Sequence, residues 1–594
     1  MRLITSPPRD LMRTLIFGPM PAGASPETHI PAGPWCFAGQ EDRFPDWDDA
    51  GNKERFFPVP PDPFANAEAV DAAARAANGA ALQLIERFGQ RFNMLKKTSL
   101  SGRFWQMALG PFLLLAAHML AERQKRVLDL VALYENKPLR VPLLAADIPF
   151  AFADSRDFMI RGVQNVYFNH YVYSRIVEAV APPQWHLVYH PAPRGSKNTD
   201  DEIQASFRIR YRAHIRHRLL TLPFPHMKGF RPWQTLLLSL AVLQNKRTRQ
   251  DQSLAFSLYC REPLVWRFPA EALISAWIPT AIRKASLPGR IQAPREDRPG
   301  PLRGMSPVYS QDDAYRLHLA GLLEQGCRLF AVQHGANYGN LQSIGGLPFE
   351  YSQHAFYTWG WDRHESAPSN AVPLPHPTLV SMAGAHNERD RSLILVGTEM
   401  STFSYRLKSR PQAKALLAYR AAKLEFLRPV AQSIGENGTV LYRPYFKTAG
   451  GLDDAAHVLR RLPQTGICTG DLTRQILGCR LLVLDHYGTT LHMALAANVP
   501  TLAFWKTGDW GFDKESAWVC SILREAGILF ETPQEAAARA TEIWPDVGGW
   551  WRNNVIQSAR RLWMERYART GDSPERPWSG LTLMSRWFSA LLHC

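Results

Sequence analysis

From Ser392 onward, short apolar runs and helical stretches take turns, and this alternation restricts the fold more than any other feature of the chain. Ser392–Val396 (Ser-Leu-Ile-Leu-Val) stops at Gly397 and is predicted to be a buried strand. Over 411–434 the residues Ala415, Leu417, Tyr419, Ala422, Phe426 and Val430 recur at helical spacing, with Pro411 in a first turn. The pattern continues with strands at 440–442, Leu481–Leu484 and Thr501–Phe504. Helices are predicted at 453–462, 489–498, 516–526 and Pro533–Ile543. Strands joined through helices pair in parallel, because a parallel return needs a crossover of a dozen or more residues. The expected fold class is therefore α/β, with a parallel sheet covered by helices on both faces.

The chain before this region is harder to read. It shows two long helical patterns, 65–92 and 102–133, and strands at 2–5 and Arg328–Val332. An α/β sheet carrying a large helical insertion is expected there. The longest apolar run, 104–120, is broken by Gln106, Gly110, Pro111 and His118. It falls short of the ~20 apolar residues of a spanning helix and is read as a bent core helix or a helix pair. The first residues lack the apolar core of a signal peptide. Polar and Pro/Gly-rich stretches at 181–201 and 287–305 are read as loops. A third, 366–391, carries Pro368, Pro373, Pro375 and Pro377 and is read as an interdomain linker. The expected division is 1–365, linker 366–391, a second α/β domain 392–570 and a tail 571–594.

Charge narrows the partners. Lys and Arg number 69 against 53 Asp and Glu, a net +16 in 594 residues. Anionic company is implied: phosphate-bearing substrates, an acidic membrane surface or nucleic acid. The stretch 207–218 alone holds five Arg and two His. A solvated face or an anionic membrane contact explains it as well as nucleic acid does, and no nucleic-acid-binding signature accompanies it. The seven cysteines have no C-x-x-C spacing, which argues against a disulfide framework or a thiolate zinc site and suits a reducing cytoplasm. No G-x-G-x-x-G and no Walker-type Gly-Lys-Ser/Thr is present, so dehydrogenase and P-loop readings fall away.

Four segments carry candidate chemistry. The strand ending at Val332 runs into Gln333-His334-Gly335. A histidine at the carboxyl end of a parallel strand stands where ligands bind and can act as a general base; the plain alternative is a turn cap. Leu484 leads into Asp485-His-Tyr-Gly-Thr489-Thr490, where a helix N-terminus and two hydroxyls suit a phosphate, or Thr489 simply caps the helix. Arg443 follows a strand and precedes a proline, and is suited to bidentate phosphate contact. Thr398, in the turn after Ser392–Val396, is a weaker phosphate contact.

This order of elements is similar to GT-B glycosyltransferases: strand–Gln-His-Gly, Pro-rich linker, strand–Gly-Thr, strand–Arg-Pro, strand–Asp-x-Tyr-x-Thr-Thr–helix, then Asn-Val-Pro-Thr-Leu-Ala-Phe504. The last third looks most like the CDP-glycerol glycerophosphotransferase branch, with some likeness to Kdo transferases. The segments Gly33-Pro-Trp-Cys36, Ser101-Gly-Arg-Phe-Trp-Gln-Met-Ala-Leu-Gly-Pro111 and Trp359-Gly-Trp361 resemble a narrower bacterial family of transferases from surface-carbohydrate gene clusters.

The resemblance implies two Rossmann-like domains facing a cleft. His334 would be the catalytic base, with Gln333, Gly335 and Asp485 in support. Arg443, Thr489, Thr490 and Thr398 would hold donor phosphates, with no metal and no cofactor. Gly488 is inserted or shifted relative to the family pattern, and Tyr445 stands where a His often follows the Pro. The implied partners are a nucleotide-activated sugar or polyol donor and a glycan or lipid-linked acceptor. An anionic membrane surface is a further expected contact, and nucleic acid is not expected. The implied setting is cytoplasmic, peripheral at the inner membrane face. A non-catalytic nucleotide-sugar or glycan-binding protein, a nucleic-acid binder, and a hydrolase or epimerase of the same fold remain the competing readings.

Overall fold

The computed structural model describes residues 12–570, apart from positions 50, 65, 148–149, 192–254, 286, 288–301, 306–311, 343–346, 363–369, 399–401, 409–412, 436 and 446–450. Among these residues fourteen strands form three sheets, and every ladder is parallel. The α/β class read from the sequence therefore holds in all three.

The first sheet holds β1 (Arg13–Ile16), β2 (His29–Pro31), β3 (Leu139–Leu144) and β4 (Trp185–His190), in the order β2-β1-β3-β4. Between β2 and β3 stand α1 (Ala67–Lys96) and α2 (Gly102–Tyr134), an antiparallel hairpin. Asn66 and Ser101 cap them by accepting from the Ala69 and Phe104 amides. Between β3 and β4 lies α3 (Val166–Val180). α2 is a single helix with Pro111 inside it, not a pair. By length and composition it passes as a membrane span, but 89% of that apolar window is buried inside the protein. It is the central core helix, packed along α1 and against α3.

The second sheet holds β5 (Leu302–Met305), β6 (Arg328–Val332), β7 (Ala355–Thr358) and β8 (Ala371–Pro373) in sequential order. Its helices are α4 (Asp313–Glu324), which also packs on α2, α5 (Leu347–Tyr351) and α6 (Pro377–Met382).

The third sheet holds β9 (Ser392–Val396), β10 (Thr439–Arg443), β11 (Gly466–Ile467), β12 (Leu481–Leu484), β13 (Thr501–Phe504) and β14 (Leu529–Phe530). Their connecting helices are α7 (Ala413–Ile434), α8 (Asp454–Arg461), α9 (Leu472–Gly478), α10 (Thr489–Ala497), α11 (Lys514–Glu525) and α12 (Pro533–Ile543). A last helix, α13 (Asn554–Tyr567), follows them. Every residue of β9, β12 and β13 is buried, as expected for strands covered on both faces.

Three stretches read as loop or linker contain regular structure. β4 lies within 181–201, β5 within 287–305, and β8 with α6 within 366–391. β4 and β8 are edge strands, where a mixed polar pattern and a terminal Pro373 are tolerated, so neither carries the apolar signature of a central strand. The first described strand is β1 rather than 2–5, which lies outside the described residues, as do 207–218 and the tail 571–594.

Candidate active site

The third sheet has the order β11-β10-β9-β12-β13-β14. Counted from β9, the first three strands step one way, and the chain then crosses back to start β12 on the other side. The topological switch point lies between β9 and β12, and ligands of such sheets bind in the crevice outside the carboxyl ends of these strands. Gly397-Thr398 leaves β9 there and Asp485 leaves β12. The Thr398 amide donates to Asp485 Oδ1 at 2.7 Å, tying the two exits together. Asp485 is fully buried and also accepts from His486 Nδ1 at 2.8 Å.

Lys423 of α7 closes this cluster from below. Its ammonium donates to the Thr398 carbonyl at 2.8 Å and to Asp454 at 2.9 Å, and stands 3.5 Å from Asp485 Oδ2. Burial alone would lower its pKa, but the two carboxylates hold it above the ordinary lysine value.

A loop from the second sheet meets the same crevice. At the end of β6 the Gln333 side chain is clamped: its Oε1 accepts from the Trp359 amide and the Trp361 indole, both at 2.9 Å. Its Nε2 donates to the Gly335 carbonyl at 2.9 Å, which closes a tight turn around His334. The Trp359-Gly-Trp361 segment thus exists to hold Gln333. His334 itself is exposed. Tyr338, buried beneath it, has its hydroxyl 3.0 Å from His334 Nδ1 and also pairs with the buried carboxyl of Glu350 on α5. Burial pushes that carboxyl up to about 7.

The loop continues directly onto α10. The Ala336 amide donates to Thr489 Oγ1 at 3.0 Å. A Cβ on Gly335 would stand 3.2 Å from the same oxygen, so glycine permits the approach. The Asn337 amide donates to the Tyr487 hydroxyl at 3.4 Å, and the Asp513 amide to the Asn340 carbonyl at 2.9 Å. The cap of α10 is Gly488, with no side-chain capping bond, so Thr489 is not the cap; its hydroxyl serves the neighbouring loop instead.

The structure therefore brings together His334, Gln333, Gly335, Thr489, Asp485 and Thr398, with half-buried Thr490 in the first turn of α10. Arg443 ends β10, two strands from β12, and its guanidinium donates to the Cys468 carbonyl at 3.2 Å on the β11 side. No hydrogen bond joins it to His334 or α10 among the described residues.

Sequence reasoning missed four participants: Lys423, His486, Tyr338 and Glu350. His486 and Tyr338 were visible within the quoted motifs. Lys423 and Glu350 sit on helices outside those motifs and carried no local signal. Among the described residues no cluster of three or more His, Cys, Asp or Glu could hold a metal ion. A separate cavity of about 420 Å³, lined by Leu82, Arg103, Met107, Phe256, Phe349 and Gln353, contains none of the predicted site residues.

Fold and site together define an α/β protein in which a histidine loop from one parallel sheet meets the switch point of another. The chain belongs to the LIC12162 family of transferases, whose family model matches residues 13–581. The sequence resemblance to a transferase family is thereby borne out. Comparison with curated proteins gives no match.

Among solved structures, the chain is similar to a variant of the wall teichoic acid polymerase TagF. The identity is 10%, over 53% of this chain and 80% of that one, with a TM-score of 0.29. TarM is 11% identical over 49% of this chain and 54% of that one, with a TM-score of 0.27. A variant of the O-GlcNAc transferase of Thermobaculum terrenum is 11% identical over 89% and 92%, with a TM-score of 0.25. All three TM-scores are low.

Proposed function

We propose that this transferase moves a sugar or polyol phosphate from a nucleotide-activated donor to a hydroxyl of a glycan or lipid-linked acceptor, in surface-glycan assembly. The observation that carries the reading is the docking of the His334 loop on the N-terminus of α10, beside the β9–β12 switch point. In this reading 1–365 and 392–570 form two GT-B-like halves that face one another across 366–391.

The donor's phosphates lie against the first turn of α10, where free amides, the helix dipole and the Thr490 hydroxyl favour an anion. Thr398 lines the other exit of the crevice. Asp485 fixes the shape of the turn, holding the Thr398 amide and the His486 ring. Arg443 turns from Cys468 toward the leaving nucleotide phosphate, the charge-neutralising role that a metal fills in other transferases. His334 takes the proton of the acceptor hydroxyl as the new bond forms. Closure of the crevice keeps water from the donor. The setting is the cytoplasmic face of a membrane, where the basic charge of the chain meets anionic lipid and lipid-linked acceptors.

The test is thermal stabilisation by CMP, CDP, UDP, GDP and ADP, for the wild type and for Arg443→Ala and Thr490→Val. A ligand bound to the native state raises the melting point by mass action. A shift with one nucleotide, reduced in both variants, is expected. No shift with any nucleotide at millimolar concentration overturns the donor site. Donor consumption that His334→Ala leaves unchanged overturns the catalytic assignment of His334, and a shift with no donor consumption in the wild type leaves a binding protein.

A further inference from the structure

The Tyr338–Glu350 pair has no part in that reading, yet it faces Nδ1 of His334 and so bears on which nitrogen carries the proton. A neutral imidazole holds one N–H, and only the bare nitrogen can act as a base. Tyr338 has one hydroxyl proton and two neighbours, His334 Nδ1 at 3.0 Å and the Glu350 carboxyl. If the hydroxyl gives its proton to Nδ1, the ring must be protonated at Nε2. If it gives the proton to Glu350, its oxygen is left to accept from Nδ1–H, and Nε2 carries the lone pair.

An ionised carboxylate is much the stronger acceptor of the two, because charge-assisted bonds are roughly twice as strong as neutral ones. We propose that Glu350 and Tyr338 are positioning residues that set the His334 tautomer, with ionised Glu350 holding the Tyr338 proton so that Nε2 of His334 is the basic nitrogen.

The environment supports the assignment. Glu350 and Tyr338 are each 4% exposed, so water does not compete for the hydroxyl. The Tyr338 ring is held by stacking on Phe356 at 5.4 Å and by Tyr351 at 6.2 Å. The groups facing Glu350 are the hydroxyl of Tyr338, the phenol of Tyr351, and the cations of Arg406 and Lys408, which favour its ionised form against burial. The balance leaves the carboxyl at about 7, so it changes charge in the neutral range. Above that pH the proton direction is fixed, and below it a protonated carboxyl no longer compels Tyr338 to point inward. In the transfer step the acceptor's proton moves to Nε2, Nδ1–H stays on Tyr338, and the imidazolium charge is offset by Glu350 through one hydroxyl.

The inference rests on the base reading of His334, so its test has a readout apart from turnover. In ¹⁵N-histidine-labelled protein, the His334 signals are identified by their loss in His334→Gln. At pH 8 the wild type is expected to show the Nδ1–H tautomer. Tyr338→Phe and Glu350→Gln are expected to move the signal toward Nε2–H. Turnover is expected to fall about tenfold in each variant, less than the ~10²–10⁴-fold lost when a general base itself is removed. The double variant is expected to be no worse than either single one, as for residues acting in one chain. An Nε2–H tautomer in the wild type, or a tautomer unchanged in both variants, overturns the inference while an inactive His334→Ala still supports the base. Full turnover in His334→Ala overturns the base reading and leaves the tautomer result standing.

The turn between α1 and α2 carries a second, independent inference. Met94 and Leu95 are 74% and 68% exposed, side by side at the end of the hairpin. Arg91, Lys96 and Lys97 surround them, all exposed. Lys96 reaches the Ala285 carbonyl at 3.4 Å, which brings the exposed Arg283 and Lys284 into the same patch. The nearby carboxylates Glu271 and Glu324 are engaged by Arg87 and the Ser101 amide.

The turn is rigid. The Asn93 side chain donates to the Leu100 carbonyl at 2.9 Å and accepts from the Thr98 hydroxyl at 2.9 Å and the Leu100 amide at 3.2 Å. Two apolar side chains in a ring of cations, on a tip already ordered, match an anionic lipid surface: apolar groups enter the acyl boundary while the cations meet headgroups.

We infer that the α1–α2 tip docks on anionic membrane. Sedimentation with vesicles of phosphatidylcholine, with and without one-third phosphatidylglycerol, tests it on the full chain. Binding is expected only with the anionic lipid, weakening with salt, and falling about tenfold or more in Leu95→Asp and in Lys96→Glu/Lys97→Glu. Equal binding of wild type and variants overturns it. So does self-association in light scattering that Leu95→Asp abolishes without lipid binding, because a second copy then covers the tip.

Discussion

The third sheet and the first two are built from the same parallel ladders, yet they hold themselves together differently. In the third sheet each strand is followed by its own helix, and β9, β12 and β13 are wholly buried. In the first sheet the neighbours β1 and β3 are separated by more than a hundred residues, with the α1–α2 hairpin between them. Its edge strand β4 is largely uncovered. The C-terminal region closes locally; the N-terminal region relies on long-range closure around one helix, α2. Polar chemistry follows the same division. The C-terminal crevice is held by a buried ion-pair cluster on Lys423, whereas the His334 loop is held by hydrogen bonds of the uncharged Gln333 and Tyr338 side chains, with Glu350 as the one carboxyl behind them.

The sharpest test removes the charge cluster. Lys423→Met leaves Asp454 and Asp485 buried without their cation, and breaking a buried pair in this way costs about 3–5 kcal/mol. Urea unfolding is expected to show the loss as an early transition of the C-terminal region. An unchanged midpoint would mean that Arg420, 2.6 Å from Asp454, carries the cluster alone.

The loop answers differently. His334→Ala removes an exposed side chain, so melting is expected to stay within about a degree of the wild type, as for surface substitutions worth under ~0.5 kcal/mol. Turnover is expected to fall roughly 10²-fold or more, close to 3 kcal/mol of barrier. Loss of folding in this variant would erase the distinction between a charge-built crevice and a neutral-clamped loop.

That distinction also explains what could be read from the sequence. Strand–helix alternation over short spans is local, so β9, β10, β12 and β13 and their helices were legible. His334 and Asp485 were legible because each follows a strand's carboxyl end, where topology alone predicts a site, and Thr489 because it opens the next helix. Partners that arrive from other elements were not. Lys423 lies mid-helix and reads as an ordinary cation, and Glu350 sits on a five-residue helix in a segment that no motif covered. The edge strands β4 and β8 lacked alternation because one side of each faces no neighbour. The alternative of Thr489 as a helix cap failed for the same reason: its hydroxyl's partner, the Ala336 amide, is 153 residues away.

A smaller effect tests the seam between the two regions. Thr489→Val keeps the shape of the side chain and removes the acceptor of the Ala336 N–H. An amide left without a partner costs about 1–3 kcal/mol when buried, and this one is partly so, which puts the expectation at the low end. Faster hydrogen exchange at Ala336, with little change at β12, is the expected pattern. Equal acceleration across the third sheet would show that the seam and the C-terminal core open together.

The last test concerns pH and carries its own sign. Glu350 has its folded-state pKa raised from 4.5 to about 7, by burial first and against the pull of Arg406 and Lys408. The native state therefore keeps a proton that the unfolded chain releases. Between about pH 4.5 and 7 this group makes the wild type lose stability as pH rises. Glu350→Gln cannot release that proton, so its melting point relative to the wild type is expected to climb from pH 5 to pH 8. The effect is confined to the neutral-clamped region, because Lys423, held above its ordinary value by carboxylates, does not titrate in this window. A variant that instead loses stability relative to the wild type toward pH 8 would show that Tyr338, Arg406 and Lys408 together outweigh burial at this carboxyl.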